Sequence, residues 1–330
     1  MKPKVSVIIP AYNAENTISM TLHAVLSQEF PKNQFEILVV DDGSIDNTKK
    51  IISKFKKVKL ISISHSGPAK ARNIGAKFAK GKIIAFTDSD CIPKKDWLNN
   101  LIIPFKDKDI VCVAGTYATL NKNKLIARFV SYEIDYRHEK MKKSKIIDFV
   151  GSYNCAYKKS IFRKFHGFDE TFTVASGEDP ELSFRIRKAN YKIIFQPKAV
   201  VFHTHPDDLL KYFRQKYNRA FWKVLLFKKH PKKMFGDKYT PRTLFPQIFL
   251  SGLGILFLIL SIFSFMFIYF FVLLVTLSLL LDVEFYSFLW NRDRSLAFLS
   301  PFIIFLRNYF SLVAIFHGGL FFLIKKNLNL

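Results

Sequence analysis

From Thr243 to Leu281 the chain runs for 39 residues without a charge, and most of these are Leu, Ile, Phe or Val. As one helix the run would extend about 58 Å at about 1.5 Å per residue, against a hydrocarbon layer of about 30 Å. A buried core helix fails on that length. A tight two-helix hairpin turning near Ser261–Phe265 fits, with a single strongly tilted helix as the alternative. Asp282–Ser295 is polar. Leu296–Ile324 is apolar again, interrupted by Pro301, Arg307 and Gly318-Gly319, and reads as a third span or a helix lying in the interface. The basic run Lys228, Lys229, Lys232, Lys233, Lys238 and Arg242 abuts the first span, which by the positive-inside rule puts the preceding domain in the cytoplasm. The expected organisation is a large domain over 1–227, a basic linker over 228–245 and a membrane domain over 246–330. That last part holds a hairpin at about 246–282 and a further helix at about 296–324. The expected location is the cell membrane, multi-pass. Met1-Lys2-Pro3-Lys4 runs straight into a strand, so no cleavable signal is expected.

The formal net charge is +25, and all but two of those charges precede Pro246. Such a surface suits anionic lipid or phosphorylated substrates; nucleic acid is suggested by charge alone and is not an expected partner. Cys91, Cys112 and Cys155 have no metal-ligand spacing and read as reduced thiols. Within the first 90 residues strand and helix patterns alternate four times. Val5–Ile9, Phe35–Val40, Val58–Ile63 and Lys82–Phe86 are the strands, and the segments from Ile18, Asn47 and Pro68 are the helices. That alternation predicts an α/β fold with a doubly wound, mostly parallel sheet.

The fourth strand ends in Phe86-Thr87-Asp88-Ser89-Asp90. Two carboxylates one residue apart, at the carboxyl edge of an open sheet, can face one small volume where such folds bind ligands. They repel unless something positive lies between them, and hard oxygen ligands suit Mg2+ or Mn2+. A cation there would meet the diphosphate of a nucleotide; the plainer reading is a turn with two solvated carboxylates. Asp41-Asp42-Gly43-Ser44 ends the second strand and reads equally as a ribose or base acceptor or as a β-turn with a capping Asp. Gly67-Pro68-Ala69-Lys70-Ala71-Arg72 opens a helix with two cations near its start, as phosphates favour. There is no Walker loop and no G-x-G-x-x-G after the first strand, which argues against a P-loop nucleotidase and a dinucleotide dehydrogenase.

Taken together, Val7-Ile8-Ile9-Pro10-Ala11-Tyr12-Asn13, Val39-Val40-Asp41-Asp42-Gly43-Ser44, Ala71-Arg72-Asn73-Ile74-Gly75 and Thr87-Asp88-Ser89-Asp90 resemble family-2 glycosyltransferases over roughly the first 220 residues. The resemblance implies the GT-A fold, of nucleotide-diphospho-sugar transferase type, and an inverting mechanism. It implies that Pro10, Tyr12 and Asp42 line the nucleobase and ribose pocket, that Arg72 approaches the nucleotide, that Asp88 lies near the ribose and that Asp90 ligates the metal. Gly177-Glu178-Asp179-Pro180 resembles the family's catalytic Glu-Asp motif, with Asp179 as general base and Glu178 as a positioning residue; without the resemblance the two acids could simply favour a helix N-terminus. His203, in preference to His205, lies where similar enzymes place a metal or diphosphate ligand. Polymerising members carry Gln-x-x-Arg-Trp, whereas this chain has Gln215, Asn218 and Arg219, one residue out of register. That departure leaves Arg214 or Arg219 as diphosphate contacts.

The function expected is a metal-dependent, inverting sugar transfer. A UDP- or GDP-sugar is the donor, and a hydroxyl of a lipid-linked or membrane-associated glycan is the acceptor. A polyprenyl- or dolichyl-phosphate sugar transferase is the near alternative, since such a phosphate is already ionised and needs a base less. A non-catalytic sugar-nucleotide-binding membrane scaffold is the alternative of another class, and it has no need of both a metal pair and a base.

Overall fold

The computed structural model describes residues 2–327 apart from 238, so Lys238 of the basic run lies outside the described residues. The chain divides into two compact units, Met1–Leu120 with His138–His205 and Asn121–Arg137 with Pro206–Leu330.

The first unit begins with β1 (Val5–Ala11), α1 (Ile18–Leu26), β2 (Phe35–Asp41), α2 (Thr48–Ile52), β3 (Val58–Ser62), α3 (Pro68–Phe78) and β4 (Ile83–Thr87). Then come β5 (Ile92–Pro93), α4 (Trp97–Ile102), β6 (Ile110–Thr119), α5 (Leu125–Lys142), which belongs to the second unit as far as Arg137, β7 (Asn154–Lys158), α6 (Lys159–Lys164), α7 (Glu178–Lys188) and β8 (Lys192–His203). Every residue of β1 and β4 is buried, as strands covered on both faces must be, and this is why they read as unbroken apolar runs.

The eight strands form one sheet in the order β3-β2-β1-β4-β7-β6-β8-β5. The half built from β1 to β4 is parallel throughout. Beyond it the pairing alternates: β7 enters antiparallel to both β4 and β6, β6 pairs with β8 in parallel, and β5 pairs antiparallel with β8. The sheet is therefore mixed. Strand β7 carries only Cys155, Ala156 and Tyr157 between Asn154 and Lys158, too short an apolar run to read as a strand. Its Asn154 is fully buried and engaged on both amide atoms: Oδ1 accepts from Trp97 Nε1 at 2.7 Å, and Nδ2 donates to the Thr116 and Ala199 carbonyls at 2.8 Å.

The chain leaves β1 toward β2 and β3, then returns to pair β4 on the other side of β1. The carboxyl ends of β1 and β4 thus flank a topological switch point, where open α/β sheets form their ligand crevice. Two glycines let α3 fit beside it. Gly67 has φ 92°, and a Cβ there would lie 2.6 Å from the Thr173 carbonyl oxygen. At Gly75 a Cβ would collide with Ile8 of β1, so the helix can lie close on the sheet only without a side chain there.

The second unit is helical, with α8 (Leu209–Lys229), α9 (Leu244–Leu260), α10 (Met266–Leu280), α11 (Val283–Trp290) and α12 (Arg294–Asn327). Helices α9 and α10 form the expected hairpin, and the residues between them are Ser261–Phe265. Their 17 and 15 residues reach only about 25 and 22 Å, however, short of a hydrocarbon layer of about 30 Å. Helix α10 attains spanning length only together with α11, from which it is bent by 57°. Among the described residues one helix alone is long and apolar enough to cross a membrane, Arg294–Ile324 within α12. The interruptions seen in its sequence do not break it. Pro301 cannot bond the carbonyl of Ala297, and the Ser300 hydroxyl donates to that carbonyl instead at 3.0 Å. Ile262, Phe263 and Phe265 at the hairpin turn and Phe298, Phe302 and Phe316 on α12 are exposed, an apolar surface that asks for a non-aqueous neighbour.

Candidate active site

The loops after β1, β2 and β4 carry most of the residues that the sequence singles out. Pro10 itself is buried within β1. Tyr12, 45% exposed, stacks on His65 with ring centroids 4.1 Å apart. Asp42 is buried, and both its oxygens are taken: Oδ1 accepts from the Ser66 N–H at 2.8 Å and Oδ2 from the Gly67 N–H at 2.9 Å. His65 Nδ1 lies 3.0 Å from Oδ2. Asp42 therefore latches the loop that opens α3 and holds His65 under Tyr12, which leaves the Tyr12 ring as the open face at this end.

Arg72, on α3, is 2% exposed and joins two distant acids. Its Nη2 donates to Asp88 Oδ1 at 2.7 Å and its Nη1 to Glu178 Oε1 at 3.2 Å. Burial opposes its charge, but Asp88, Asp179 and Glu178 outweigh it and keep the guanidinium protonated. Glu178 sits at the start of α7, with its other oxygen accepting from the Ser176 N–H at 2.8 Å. Its neighbour Asp179 is half-buried. Asp179 Oδ2 accepts from the Ser152 N–H at 2.9 Å, while Oδ1 is buried with no hydrogen-bond partner among the described residues. Burial, and then the adjacent Glu178 charge, pushes the Asp179 carboxyl up to about 7 against the pull of Arg72. Burial also raises the Glu178 carboxyl against the pull of Arg72, so what separates the two acids is their contacts: Glu178 is tied to a guanidinium, and Asp179, with one oxygen unpartnered, is poised to exchange a proton near neutral pH.

Asp88 and Asp90 do not converge on a single point. Both lie in the turn beyond β4, and where Asp88 turns to Arg72, Asp90 turns to His203. Asp90 Oδ2 is 3.1 Å from His203 Nε2. The pairing of β5 with the end of β8, Ile92 opposite Phe202, brings these residues together across the sequence. Burial works against the Asp90 charge, but contact with His203 holds its carboxyl below the usual range. His203 Nδ1 faces His205 Nδ1 at 3.3 Å, so His205 is the ring that sets which nitrogen of His203 points at Asp90. Tyr117 stacks on His203 at 4.9 Å and on Tyr153 at 3.8 Å, clamping the imidazole from β6. The fully buried Cys91 thiol lies 3.7 Å from Asp90 Oδ1 and 3.9 Å from the Tyr117 hydroxyl. All three cysteines are free and buried.

A carboxylate oxygen beside an imidazole nitrogen is a donor set that Mn2+ or Mg2+ accepts. Among the described residues no group of three or more such side chains is gathered to hold a metal; Asp90 and His203 are the pair here that could contribute ligands. That pattern fits a cation that a substrate phosphate completes.

Of the sequence-singled residues, Tyr12, Asp42, Arg72, Asp88, Asp90, Glu178, Asp179 and His203 all belong to the first unit. Arg219 lies exposed on α8 of the second unit, and so does Arg214. Sequence reasoning missed His65, Tyr117 and Tyr153. His65 stands two residues before the Gly67-Pro68 helix start, whereas Tyr117 and Tyr153 stand in none of the motifs read above.

Comparison with known proteins places these motifs. The model of the family described as glycosyl transferase family 2 matches residues 6–165. The glycosyltransferase AglE of Haloferax volcanii is 31% identical over 208 residues, 61% of this chain and 67% of that protein. The UDP-Glc:alpha-D-GlcNAc-diphosphoundecaprenol beta-1,3-glucosyltransferase WfgD of Escherichia coli is 38% identical over 130 residues, 38% of this chain and 51% of that protein. The matched part of the chain thus spans between half and two thirds of the length of these curated relatives. Among solved structures, the mannosyltransferase PcManGT from Pyrobaculum calidifontis, in complex with GDP-Man and Mn2+, superposes over 96% of this chain and 87% of that one with a TM-score of 0.64 and 19% identity. A likeness at that identity speaks for the fold alone.

Proposed function

This chain belongs to glycosyl transferase family 2 and has a fold of the GT-A type, and on that footing we propose that it transfers a sugar from a nucleotide-diphosphate donor to a hydroxyl of a lipid-linked or membrane-associated glycan, with inversion. The observation that carries the reading is Asp179: a carboxylate with one oxygen fixed by a backbone N–H, the other unpartnered, and a proton affinity near neutrality. A sugar hydroxyl needs such a base as it attacks, and an ionised phosphate does not. The other carboxylates of the cleft are engaged, Asp88 and Glu178 by Arg72 and Asp90 by His203, which leaves Asp179 as the base for a direct displacement that inverts the anomeric carbon.

In this reading Tyr12 offers its exposed face to the nucleobase, and Asp42 holds the loop behind it. Arg72 is a positioning residue. It fixes Asp88 at the donor end and Glu178 at the base end in one guanidinium, so donor and base keep their separation. Asp90 and His203 would hold Mg2+ or Mn2+, which when bound offsets negative charge on the departing nucleoside diphosphate. Tyr117 and His205 keep His203 in the orientation required. The apolar surface of the second unit and α12 supports attachment to a membrane and hence an acceptor carried there; WfgD, by its name, acts on a diphosphoundecaprenol-linked sugar.

The test is a screen of UDP- and GDP-sugars against a membrane lipid extract, followed by mass measurement of the labelled lipid. Extension of a glycan already on a lipid is expected. Transfer onto bare polyprenyl phosphate would replace this acceptor with the phosphate one, and donor binding without any turnover would leave a scaffold.

A further inference from the structure

The second unit gathers more positive charge than the carboxylates beside it neutralise. Lys216, Arg219 and Lys223 follow one another at spacings of three and four on α8, which puts them on one helix face, with Arg219 exposed and the two lysines partly buried. Lys216 meets Arg137 of α5 and Arg307 of α12 around a single buried acid. Glu133 is 4% exposed, with Oε2 2.7 Å from Lys216 Nζ and Oε1 3.2 Å from Arg307 Nη1 and 3.9 Å from Arg137 Nη2. Asp282 meets Arg307 at 3.5 Å. Asp237 offsets Lys223, but its Oδ1 already accepts from the Tyr239 and Thr240 N–H groups at 2.7 and 2.6 Å. Among the described residues the cluster is therefore five basic side chains, Arg219 exposed and the other four at least partly buried, against the three acids Glu133, Asp237 and Asp282.

The surplus leaves marks on the polar atoms. Arg307 Nε and Gln247 Nε2 are buried donors with no hydrogen-bond partner among the described residues, and the same two side chains meet through Arg307 Nη2 and Gln247 Oε1 at 3.1 Å. Burial, then the repulsion of Arg137 and Arg219, pushes Lys216 down to about 7 despite Glu133, and Lys223 down to about 8 despite Asp237. Ammonium and guanidinium groups in excess of the acids, four of them at least partly buried, call for an anion with many acceptor oxygens, because an uncompensated ion away from water costs several kcal/mol.

We propose that this cluster is a binding site for the phosphate or diphosphate head of a membrane lipid, held chiefly by Arg137, Lys216, Arg219 and Lys223. An anion seated here would hold the protons on Lys216 and Lys223, and the resulting surplus of up to two positive charges matches a group that carries about two negative charges near neutral pH. Arginine forks and flexible ammonium groups together satisfy its oxygens. A lipid is favoured over a soluble phosphate because the same unit exposes Ile262, Phe263, Phe298, Phe302 and Phe316, a surface for the chains of such a lipid to lie against. Only the step from bound lipid to acceptor carrier rests on the glycosyl-transfer reading.

The experiment uses the full chain in detergent micelles and measures binding of geranylgeranyl phosphate, geranylgeraniol and inorganic pyrophosphate. The lipid phosphate is expected to bind at least tenfold more tightly than the alcohol. Lys223→Gln is expected to weaken it about tenfold, and Lys223→Arg to restore most of the loss. Pyrophosphate binding as tightly as the lipid phosphate would keep the oxyanion site and assign it to a soluble ligand. Equal binding of the phosphate and the alcohol overturns the proposal without any variant, and so does undiminished affinity in Lys223→Gln. Absence of sugar transfer with Lys223-dependent phosphate binding intact would count against the catalytic reading and leave this site standing.

Discussion

Two buried charge clusters, one in each unit, are built to opposite plans. In the first unit one guanidinium, Arg72, serves the two carboxylates Asp88 and Glu178, with Asp179 next in the chain and Asp90 two residues beyond Asp88. In the second, one carboxylate, Glu133, serves Lys216, Arg307 and Arg137. Each leaves a surplus of one sign in a partly buried setting, and such a surplus is costly unless a counter-charge joins it. On the readings proposed above, the sign matches the class of ligand: a cation for the acidic cleft, a phosphate for the basic helices. A balanced salt bridge would have carried no such information.

The largest effect should come from the acidic cluster. Asp179→Asn is expected to lower kcat by about 10²–10⁴-fold, the usual range for loss of a general base, while nucleotide affinity stays within about twofold. An equal loss of binding and rate would make Asp179 structural. Next, Arg72→Met strands Asp88 and Glu178 together and should cost about 3–5 kcal/mol in a denaturation curve. Glu133→Gln should cost less, about 1–3 kcal/mol, because Lys216 sits close enough to neutrality to shed its proton. Added pyrophosphate or lipid phosphate should recover part of the melting temperature of Glu133→Gln and none of that of Arg72→Met; equal recovery would erase the contrast between the clusters.

The pH dependence follows from the raised proton affinity of Asp179. A base must be ionised to act, so kcat/KM should climb about tenfold per pH unit up to about 7 and then level off. The same shift has a stability sign. The folded chain holds this proton more tightly than the unfolded one, so the stability it contributes is full below the ordinary carboxylate pKa and is lost as pH rises toward 7. Asp179→Asn should therefore be more stable than the parent at pH 8, by about 1–3 kcal/mol, and indistinguishable from it at pH 4. The smallest effect expected is that of Tyr117→Leu, which removes the ring stacked on His203. Mn2+ affinity measured by calorimetry in the presence of a nucleoside diphosphate should fall about 2–10-fold, the worth of one aromatic contact. An unchanged affinity would remove Tyr117 from the positioning of the metal ligand.

Local signals were legible. The apolar runs of β1, β2 and β4 show burial on both faces, the Gly-Pro start of α3 marks its first turn to the residue, and the Ser261–Phe265 break in the hairpin follows from length alone. The span assignment inverted for a physical reason. The uncharged 39-residue run folds into two short helices, whereas the interrupted segment forms the long one, because Ser300 and the buried partners of Arg307 absorb what would otherwise break or bar it. Arg219, read from its motif as a donor contact, lies exposed on α8 of the second unit.

By itself the sequence determined the parallel half of the sheet, the family, and the residue types at each strand end, since all of these depend on periodicity and neighbours a few positions apart. Only the tertiary structure decided who pairs with whom. Arg72 reaches Glu178 across 106 positions and His203 reaches Asp90 across 113, through strand pairings and a helix start that no local pattern encodes. The balance of charge in a buried cluster exists only once those distances are closed, and there the functional argument rests.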